Sequence, residues 1–514
     1  MKPTFPAIVT TAEMQAIEGA MFDAGFPIPA LMEKVGQRLS HYLREHFPTS
    51  QYPCVAVLAG PGHNGGDALV VARELWHRGY RVKLWQPFER LKPLTADHAR
   101  YARFLGLPFV ERVEALQEVD LVVDGLFGFG LERELTGELA YAIDQINTWG
   151  QPRVSIDVPS GLHSDTGVVL GTAIQADRTL CLGLWKRGLL VEEAQPWVGQ
   201  GVLIPFDIPS VVIETALATA PRRYCLDASC WQALPLSRSP ITHKYQQGQL
   251  LLIGGSAHFG GSILLSALAA RCTGVGMLVV AVPQSLKSLV LSRVPDAIVV
   301  GCPETARGAI ARLSESLELG KFSAIACGPG LTPEAGSVVE TVLRAGKSLL
   351  LDADALNILA TLSPWPLPRG TILTPHYGEF RRLFPDLVSA GGDRLDQVIA
   401  AASRSNAIVL LKGARTAIAS SSGDLWINPH STPALARGGS GDVLTGLIGG
   451  LLAQQEALRA TYGGVWWHAQ AALAAEQQAT SLGVYPEQLI AHLLPTLRRA
   501  LAARVELFSQ ELIC

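Results

Sequence analysis

The chain has 514 residues, of which 48% are hydrophobic and 17% charged, a composition typical of a globular protein. At about 100–200 residues per domain, this length predicts about three domains or two large ones. Lys and Arg number 42 against 45 Asp and Glu, a net charge of −3, which disfavours a protein that neutralises many nucleic-acid phosphates. Its apolar runs fall short of the ~20 residues that span a bilayer. We therefore expect neither a nucleic-acid nor a membrane partner.

The amino terminus and the cysteines suggest a cellular location. The first residues contain no apolar stretch of the ~7–15 residues found in the centre of a signal peptide, which predicts a cytoplasmic protein. The 8 cysteines include no Cys-x-x-Cys pair, so neither a zinc site nor a redox dithiol is expected. We expect most of them to be buried as small apolar side chains.

From residue 51 onward, short apolar runs alternate with longer helical patterns, which predicts parallel strands joined by crossover helices. The helical spacing of 11–46 suggests that this segment covers one face of the first sheet. Helices are also predicted over 67–78 and 96–105. The predicted strands of the first half are Cys54–Ala59, Arg81–Gln86, Leu121–Asp124, Arg153–Asp157 and Thr179–Leu184.

The alternation lapses between Ile204 and Tyr224, where three prolines occur without a clear strand–helix pair. We place a domain boundary there, giving domains 1–219 and 220–514. The alternation then resumes with a helix over Ser262–Arg271, so two α/β domains are expected. The predicted strands of the second half are Gln249–Ile253, Met277–Val282, Phe322–Cys327, Ser348–Asp352, Gly370–Thr374 and Ala407–Lys412.

A glycine-rich turn from Gly60 to Gly66 follows the first buried strand and precedes a helix predicted to begin near Asp67. Backbone N–H groups at a helix start bind anions, and phosphate is the natural ligand. The turn lacks the Lys-Ser/Thr ending of a P-loop and the plain G-x-G-x-x-G spacing of a dinucleotide fold. Taken alone, the glycines are equally consistent with an ordinary tight turn.

Two further strands of the first half end in carboxylates, at Asp124 and Asp157. The carboxyl ends of parallel strands meet at one edge of the sheet, where ligands bind. Either residue alone is more often a helix cap. Together with the Asn-Gly-Gly-Asp sequence at 64–67, they predict a site whose buried carboxylates need a cation or a hydrogen-bonding ligand.

The motifs PGHNGGD, VDGLFGFGLERE and SIDVPSGL resemble, in order and spacing, the YjeF N-terminal domain, the epimerase of hydrated NADH and NADPH. This resemblance covers about the first 215 residues. It implies a Rossmann-like three-layer sandwich and a potassium ion held by Asn64, Asp124 and Ser160. It also places Asp157 beside C6 of the hydrated nicotinamide ring, where a carboxylate suits proton transfer. At position 63 the family usually has Asn, where this chain has His63. The implied substrate contacts are His63, Asn64, Gly65, Gly66, Asp67, Gly128, Phe129, Gly130, Leu131, Glu132, Arg133, Glu134 and Asp157.

In the second half, Gly438-Gly439-Ser440-Gly441-Asp442 runs directly into an apolar helix rich in small residues. Consecutive N–H groups at that helix start can hold a transferring phosphoryl group while Asp442 takes a proton from the attacking hydroxyl. The segment resembles the GxGD loop of ribokinase-like enzymes. The alternative is a glycine-rich helix start that Asp442 merely caps.

Polar residues also follow the predicted strands upstream of that loop. Residues 412–416 offer a cation and backbone donors for nucleotide phosphates, and Glu379 is a candidate ligand of hydrated magnesium. His376 is a candidate for orienting a substrate. A lone histidine after a strand is more often structural, but the adjoining Thr374-Pro375 and Gly378-Glu379 favour the functional interpretation.

The motifs GSAHFGGSILLSALAA, CGPGL, LDADALN, TPHYGE, LKGART and GGSGD together resemble the ADP- or ATP-dependent NAD(P)H-hydrate dehydratases, over roughly residues 222–505. The resemblance implies a ribokinase-like three-layer sandwich that uses ADP and Mg²⁺. Ser262 stands where that family more often has Ala. The implied substrate contacts are Ser262, Gly330, His376 and Asp442, and the implied nucleotide contacts are Lys412, Gly413, Ala414, Arg415, Thr416 and Gly441.

The sequence therefore predicts a bifunctional enzyme that repairs hydrated nicotinamide cofactors, with Asp157 and Asp442 as its catalytic residues. Its expected partners are small-molecule substrates, and we expect a homo-oligomer. Two alternatives remain open: a ribokinase-like small-molecule kinase with a fused regulatory domain, and a first domain that is a non-catalytic interaction module. The second alternative is disfavoured because Asn64, Asp124, Asp157 and Ser160 are all present, whereas a scaffold does not need an ion site.

Overall fold

The computed structural model describes residues 5–511, with side chains described through residue 502. The chain divides into two compact units. The amino-terminal unit runs from Pro6 to Ala220, and the carboxy-terminal unit begins at Pro221 and takes in Phe5. Both contain a sheet that is parallel over most of its width, which confirms the predicted α/β class.

The amino-terminal unit alternates strands and helices from residue 54 onward. Its strands are β1 (Ile8–Val9), β2 (Cys54–Ala59), β3 (Arg81–Trp85), β4 (Phe109–Val110), β5 (Leu121–Gly125), β6 (Arg153–Ile156), β7 (Arg178–Leu182), β8 (Trp185–Lys186) and β9 (Gln200–Ile204). Its helices are α1 (Thr11–Asp23), α2 (Ile28–His46), α3 (His63–His77), α4 (Pro93–Phe104), α5 (Gly137–Thr148), α6 (Gln195–Val198) and α7 (Ser210–Ala216).

Within the described residues, the main sheet of this unit has seven parallel strands in the order β4-β3-β2-β5-β6-β7-β9, and β1 pairs separately with β8. The side chains of β2 alternate between two cores, as the pleat of a strand requires. Val55 and Val57 pack with helices α1–α4, whereas Ala56 and Leu58 pack on the other face with α5. The sheet is therefore covered by helices on both faces.

The carboxy-terminal unit repeats this alternation on a larger scale. Its strands are β10 (Arg223–Cys225), β11 (Gln249–Ile253), β12 (Met277–Pro283), β13 (Ile298–Cys302), β14 (Ala324–Cys327), β15 (Ser348–Leu351), β16 (Ile372–Leu373), β17 (Ile408–Leu411), β18 (Thr416–Ala419) and β19 (Leu425–Asn428). Its helices are α8 (Gly260–Cys272), α9 (Lys287–Arg293), α10 (Gly336–Leu343), α11 (Asp354–Leu362), α12 (Tyr377–Leu383), α13 (Pro385–Ser389), α14 (Arg394–Ser405), α15 (Ser440–Leu452), α16 (Ala457–Gly483) and α17 (Pro486–Glu511).

The sheet of this second unit has ten strands among the described residues, in the order β10-β19-β18-β17-β16-β15-β14-β11-β12-β13. The pairs β17–β18 and β18–β19 are antiparallel, and the remaining pairs are parallel. The edge strand β10 pairs with β19, so Arg223 lies opposite Leu425. The ends of β15, β16 and β17 meet beside the start of α15, where the residues described below converge.

The predicted strands Cys54–Ala59 and Gln249–Ile253 are confirmed to the residue. Two other predictions are wrong. Helix α3 begins at His63 rather than near Asp67, because Asn64, Gly65 and Gly66 form its first turn and the preceding loop is only Gly60–Gly62. The region around Ile204–Tyr224 was expected to contain no strand–helix pair, yet it holds α7 and the first residues of β10.

Candidate active sites

A cleft of about 710 Å³ lies at the carboxyl ends of β2, β5 and β6 in the amino-terminal unit. The predicted substrate contacts at its wall are His63, Asn64, Asp67, Gly128, Phe129, Gly130, Leu131, Glu132, Arg133 and Asp157. Gly65 and Gly66 are instead buried in the first turn of α3, and Glu134 is exposed outside the cleft wall. The structure thus brings together most of the side chains that the three motifs predict.

Asp124, at the end of β5, is completely buried and accepts four hydrogen bonds. Ser160 supplies two of them, through Oγ at 2.6 Å and the backbone N–H at 2.9 Å. The others come from Ser155 Oγ at 2.7 Å and the Leu126 N–H at 3.2 Å. Burial raises the pKa of Asp124, although these hydrogen bonds oppose the shift. A nearby cation would favour the ionised carboxylate.

Asn64, Asp124 and Ser160, the residues implied to hold potassium, offer oxygen atoms that suit such an ion. The Asn64 side chain lies next to Gly128, since a Cβ placed at Gly128 would be 3.3 Å from Asn64 Oδ1. Ser160 Oγ also meets the backbone of Phe127, whose N–H donates to it at 2.9 Å. Amide, carboxylate and hydroxyl oxygens are the ligands that hard cations prefer, and the buried Asp124 carboxyl supplies the negative charge.

Asp157 directly follows β6 and forms an ion pair with Lys186, at 2.6 Å between Asp157 Oδ1 and Lys186 Nζ. The Lys186 side chain is 0% exposed. Burial alone would lower the pKa of Lys186, but Asp157, with smaller contributions from Cys181 and Glu18, outweighs burial and the pKa is raised. Asp157 has φ = +67°, a conformation that Asp tolerates better than most residues and that often marks functional sites.

Lys186 was not among the predicted site residues. It sits in the short strand β8, paired with Val9 of β1, and its Nζ also donates to the Leu182 carbonyl at 2.6 Å. The signal available in the sequence is a single lysine within the apolar stretch LCLGLWKRGLL. A buried ammonium is costly unless it is paired. An isolated lysine in a buried strand therefore indicates a carboxylate partner elsewhere in the chain.

Gly60 packs against the neighbouring loop too closely for any side chain. A Cβ at Gly60 would overlap the Leu126 carbonyl oxygen and lie 2.8 Å from Leu126 Cα, whereas a Cβ at Gly62 would meet nothing within 4 Å. We expect Gly60→Ala to destabilise the amino-terminal unit by about 3 kcal/mol or more, and Gly62→Ala to have little effect. The measurement is the urea concentration at which half of the amino-terminal unit is unfolded. Equal midpoints for the two variants would contradict this packing.

In the carboxy-terminal unit, Asp442 lies in the first turn of α15, which begins at Ser440. Burial and the charge of Asp352 raise the pKa of Asp442 to about 6, while a hydrogen bond from Ser262 opposes the shift. Gly330 adjoins the same place, since a Cβ there would be 3.3 Å from the Cβ of Ser262. Three of the four predicted substrate contacts therefore lie together.

Lys412 follows β17 and forms an ion pair with Asp352, at 2.8 Å between Lys412 Nζ and Asp352 Oδ1. Burial alone would raise the pKa of Asp352, but Lys412 outweighs it and the pKa is lowered. Thr445 Oγ1 donates to the second carboxylate oxygen at 2.6 Å. A Cβ at Gly441 would be 3.5 Å from Lys412 Nζ, so this cation lies beside the N–H groups of the loop. An ammonium group and backbone N–H groups thus lie together at a helix start, an arrangement that can bind an anion.

His376 and Glu379 form a capping box at the start of α12. The His376 N–H donates to Glu379 Oε2 at 2.8 Å, and the Gly378 N–H donates to His376 Nδ1 at 2.9 Å. Glu379 Oε2 also lies 4.0 Å from Lys412 Nζ. One such carboxylate fits a magnesium ion held mainly by phosphates and water. No group of three or more His, Cys, Asp and Glu suited to a metal occurs in the described part of the chain.

The remaining predicted nucleotide contacts differ in exposure. Gly413 is exposed, and Ala414 and Thr416 are partly exposed, so these three are accessible beside Lys412. Arg415 is buried and its guanidinium donates to the Pro429 carbonyl oxygen. Burial lowers the pKa of Arg415 to about 10. The structure therefore places Arg415 in the wall of this region rather than on its surface.

His468, on α16, was not predicted. Its Nε2 lies 3.0 Å from the Ser440 carbonyl oxygen, which can only accept a hydrogen bond, so Nε2 carries the proton. Burial lowers the pKa of His468 to about 4, which keeps the ring neutral at ordinary pH. The neutral ring thus supports the first turn of α15.

Among residues 5–511, no helix is both long enough and apolar enough to cross a lipid bilayer.

Comparison with known proteins gives two family matches. Residues 29–188 match the model of the YjeF-related protein N-terminus, and residues 250–495 match the NAD(P)H-hydrate dehydratase model. A solved ADP/ATP-dependent NAD(P)H-hydrate dehydratase from Bacillus subtilis is 30% identical, with a TM-score of 0.46, over 53% of this chain and 96% of that chain.

Two curated relatives match over almost the whole chain. A bifunctional NAD(P)H-hydrate repair enzyme from Thermosynechococcus vestitus is 93% identical over 98% of this chain and 100% of its own length. The enzyme of the same description from Synechocystis is 49% identical over 98% of this chain and 97% of its own length. The chain belongs to the family of bifunctional NAD(P)H-hydrate repair enzymes.

Proposed function

We propose that the chain epimerises the R and S forms of hydrated NADH and NADPH and dehydrates the S form at the expense of ADP. We assign epimerisation to residues 1–219 and dehydration to residues 220–514. The observation that carries this proposal is that each unit places one carboxylate, the buried Asp157 or the half-buried Asp442, beside groups that fit a different half of the reaction. The two activities complement each other because a stereospecific dehydratase restores only one epimer.

Epimerisation is a reaction of a hemiaminal, since C6 of the hydrated ring carries a hydroxyl and is bonded to N1. The C6–N1 bond opens when the hydroxyl loses its proton, and closure on the other face gives the other epimer. Asp157 is the base in this step, and its carboxylate is held in place by the 2.6 Å ion pair with Lys186. The N–H of Phe129 donates to Asp157 Oδ2 at 3.1 Å, which fixes the orientation of the carboxylate.

Asn64, Asp124 and Ser160 would hold a potassium ion in the amino-terminal unit. A bound ion would supply positive charge beside the buried Asp124 carboxyl, whose pKa burial raises. Ser160 would then link this site to the substrate loop through its contacts with Phe127.

We expect replacement of potassium by lithium to slow epimerisation more than dehydration, because the oxygen ligands of this site suit a large, weakly hydrated cation. The measurement compares both rates in the full chain after dialysis against each salt. Ser160→Ala removes one ligand and should reduce the difference between the two salts. An epimerase rate that is the same in both salts would contradict the ion site and leave the role of Asp157 intact.

Dehydration requires a better leaving group than hydroxide at C6. Asp442 takes the C6 hydroxyl proton, and the oxygen attacks the β-phosphorus of ADP while the bond to the AMP oxygen breaks. The electron pair on N1 then expels inorganic phosphate, and loss of a proton from C5 restores the double bond. The N–H groups of Ser440 and Gly441, with Lys412 beside them, suit the charge of the transferring group.

Residues 412–416 and Gly441 are the proposed nucleotide contacts, and Ser262, Gly330, His376 and Asp442 the proposed contacts of the hydrated cofactor. A magnesium ion would be held by the phosphates with Glu379 nearby, and it would neutralise phosphate charge. Thr445 and Lys412 orient Asp352 next to Asp442. This arrangement supports phosphoryl transfer as the chemistry of the second unit.

The test supplies the full chain with S-hydrate and either ADP or ATP, and measures products over time. With ADP we expect NADH, AMP and inorganic phosphate in equal amounts. A stable phosphorylated organic product would instead identify a small-molecule kinase.

In a second experiment, pure R-hydrate without nucleotide should become a mixture of epimers faster than in buffer alone. No acceleration there would indicate that the first unit is not an epimerase.

A further inference from the structure

The cleft of the amino-terminal unit holds more acidic groups than a single base requires. Asp67, on α3, and Glu18, on α1, line the same cleft as Asp157. Asp67 is only 9% exposed, and within the described residues neither Asp67 nor Glu18 has a hydrogen-bond or ion-pair partner. Among the described residues, the ion pair of Lys186 is with Asp157. Two carboxyl groups therefore face the cleft without a cation of their own.

Helix α1 presents Glu18 to the cleft for a simple geometric reason. Its buried residues Met14, Ile17 and Met21 lie on the face that packs on the core, and Glu18 is four residues after Met14 on that same side. A carboxylate that only faced solvent would lie on the opposite side of α1, away from Met14, Ile17 and Met21. The amino terminus of α1 is fixed by the Thr10–Glu13 capping box, so the helix holds Glu18 at a defined place in the wall.

Opening a hemiaminal moves two protons. The base removes the hydroxyl proton, C6–O becomes a carbonyl, and the electrons of the C6–N1 bond move to N1. An anionic nitrogen is a poor leaving group, so N1 must receive a proton as the bond breaks. Asp157 and its ion-paired Lys186 account for the first proton, and no group described so far supplies the second.

We propose that Glu18 is the acid that protonates N1 when the ring opens, a role that rests on the proposed epimerase function. Glu18 transfers its proton to N1 and becomes a carboxylate, while Asp157 becomes protonated. After rotation about C5–C6, Glu18 takes the proton back from N1, the C6–N1 bond re-forms on the other face, and Asp157 returns its proton to the oxygen. The cycle is balanced and needs no further reactant.

The protonation of the two spare carboxyl groups distinguishes them. Burial raises the pKa of Glu18 to about 7, with Lys186 opposing and Asp157 adding to the shift. Burial, with the charges of Asp157 and Glu18, raises the pKa of Asp67 well above its ordinary value. An acid with a pKa near the working pH gives and regains a proton most readily, which favours Glu18 for this role. The other ionisable groups facing this cleft are His63, Lys92, Glu132 and Arg133.

The experiment measures the epimerisation rate of R-hydrate by the full chain between pH 5.5 and 9, after subtraction of the uncatalysed rate. Because the acid must be protonated, the wild-type rate should decrease as pH rises through about 7. Glu18→Gln should lower the rate about 100-fold and abolish this decrease. Glu18→Asp keeps a carboxylic acid and should recover part of the rate together with the decrease at alkaline pH.

Asp23→Asn is the matched control, because it makes the same chemical change at an exposed residue of the same helix. It should leave the rate and the pH profile unchanged. Dehydration of S-hydrate and the thermal unfolding midpoint are measured for every variant, so that a folding defect is recognised. A merely structural role for Glu18 would lower the rate without altering the pH profile.

The possible failures are distinguishable. If wild-type protein does not epimerise hydrate at all, the proposed function fails. If wild-type protein is active and Glu18→Gln retains its rate and its alkaline decrease, Glu18 is not the acid and the epimerase assignment stands. If Glu18→Gln is slow but keeps the alkaline decrease, another group, with Asp67 the nearest candidate, donates the proton and the proposal is overturned.

Discussion

Asp442→Asn should reduce dehydration on the order of 10²–10⁴-fold, the usual effect of losing a positioned base. An amide cannot accept the C6 hydroxyl proton, although it fills the same space at the start of α15. ADP binding should persist, because Lys412 and the N–H groups around Gly441 remain in place. The measurements are NADH formation from S-hydrate and ADP affinity by calorimetry. Glu315→Gln, at a highly exposed carboxylate of the same unit, is the control.

The pH dependence provides a second test of the same residue. Because burial raises the pKa of Asp442 to about 6, the base loses its negative charge as pH falls through that value. The dehydration rate should therefore decline below pH ~6 in the wild type, where a carboxyl with an ordinary pKa would remain active. Dehydration by Asp442→Asn at the wild-type rate would overturn the mechanism.

Asp157→Asn should abolish epimerisation and leave dehydration of the S epimer nearly unchanged, since the base lies in the amino-terminal unit. Asn tolerates positive φ as Asp does, so the backbone at +67° is preserved. The substitution also leaves the Lys186 ammonium buried without its partner, which costs about 3–5 kcal/mol. We therefore expect lower stability as well as lost activity.

The double variant Asp157→Asn, Lys186→Met separates these two effects. It removes the unpaired charge, so stability should return while epimerisation stays absent. Hydrogen exchange of peptides from β2 and β7 reports the stability of the amino-terminal unit in each variant. Wild-type interconversion of R and S hydrates by either variant would show that Asp157 is not the base.

Local patterns in the sequence predicted the α/β class, most strands and both acidic strand ends. Those features depend on residues close together in the chain, such as the buried run Cys54–Ala59 and its glycine-rich turn. The start of α3 was misplaced because glycines disfavour helices in isolation. Here Gly65 lies in the first turn of α3, where a Cβ would overlap the Gly60 carbonyl oxygen, so the close packing of this turn requires glycine.

The partners of the two proposed catalytic carboxylates depend on contacts that no local pattern encodes. Lys186 is 29 positions after Asp157 and meets it from β8, which pairs with β1. Glu18 reaches the same cleft from a helix near the amino terminus. His468 supports the Asp442 loop from α16, and its sequence context is that of an ordinary buried helix. Tertiary packing determines these roles, so sequence periodicity cannot predict them.

The pairing of β10 with β19 determines an order of events during synthesis. Arg223 lies opposite Leu425, so β10 leaves the ribosome roughly 200 residues before the strand it pairs with. The amino-terminal unit, whose strands all come earlier in the chain, is complete by then and can fold during translation. The second unit cannot close its sheet until β19 emerges. Its nascent strands therefore have the longer exposure to aggregation and the greater need for chaperones.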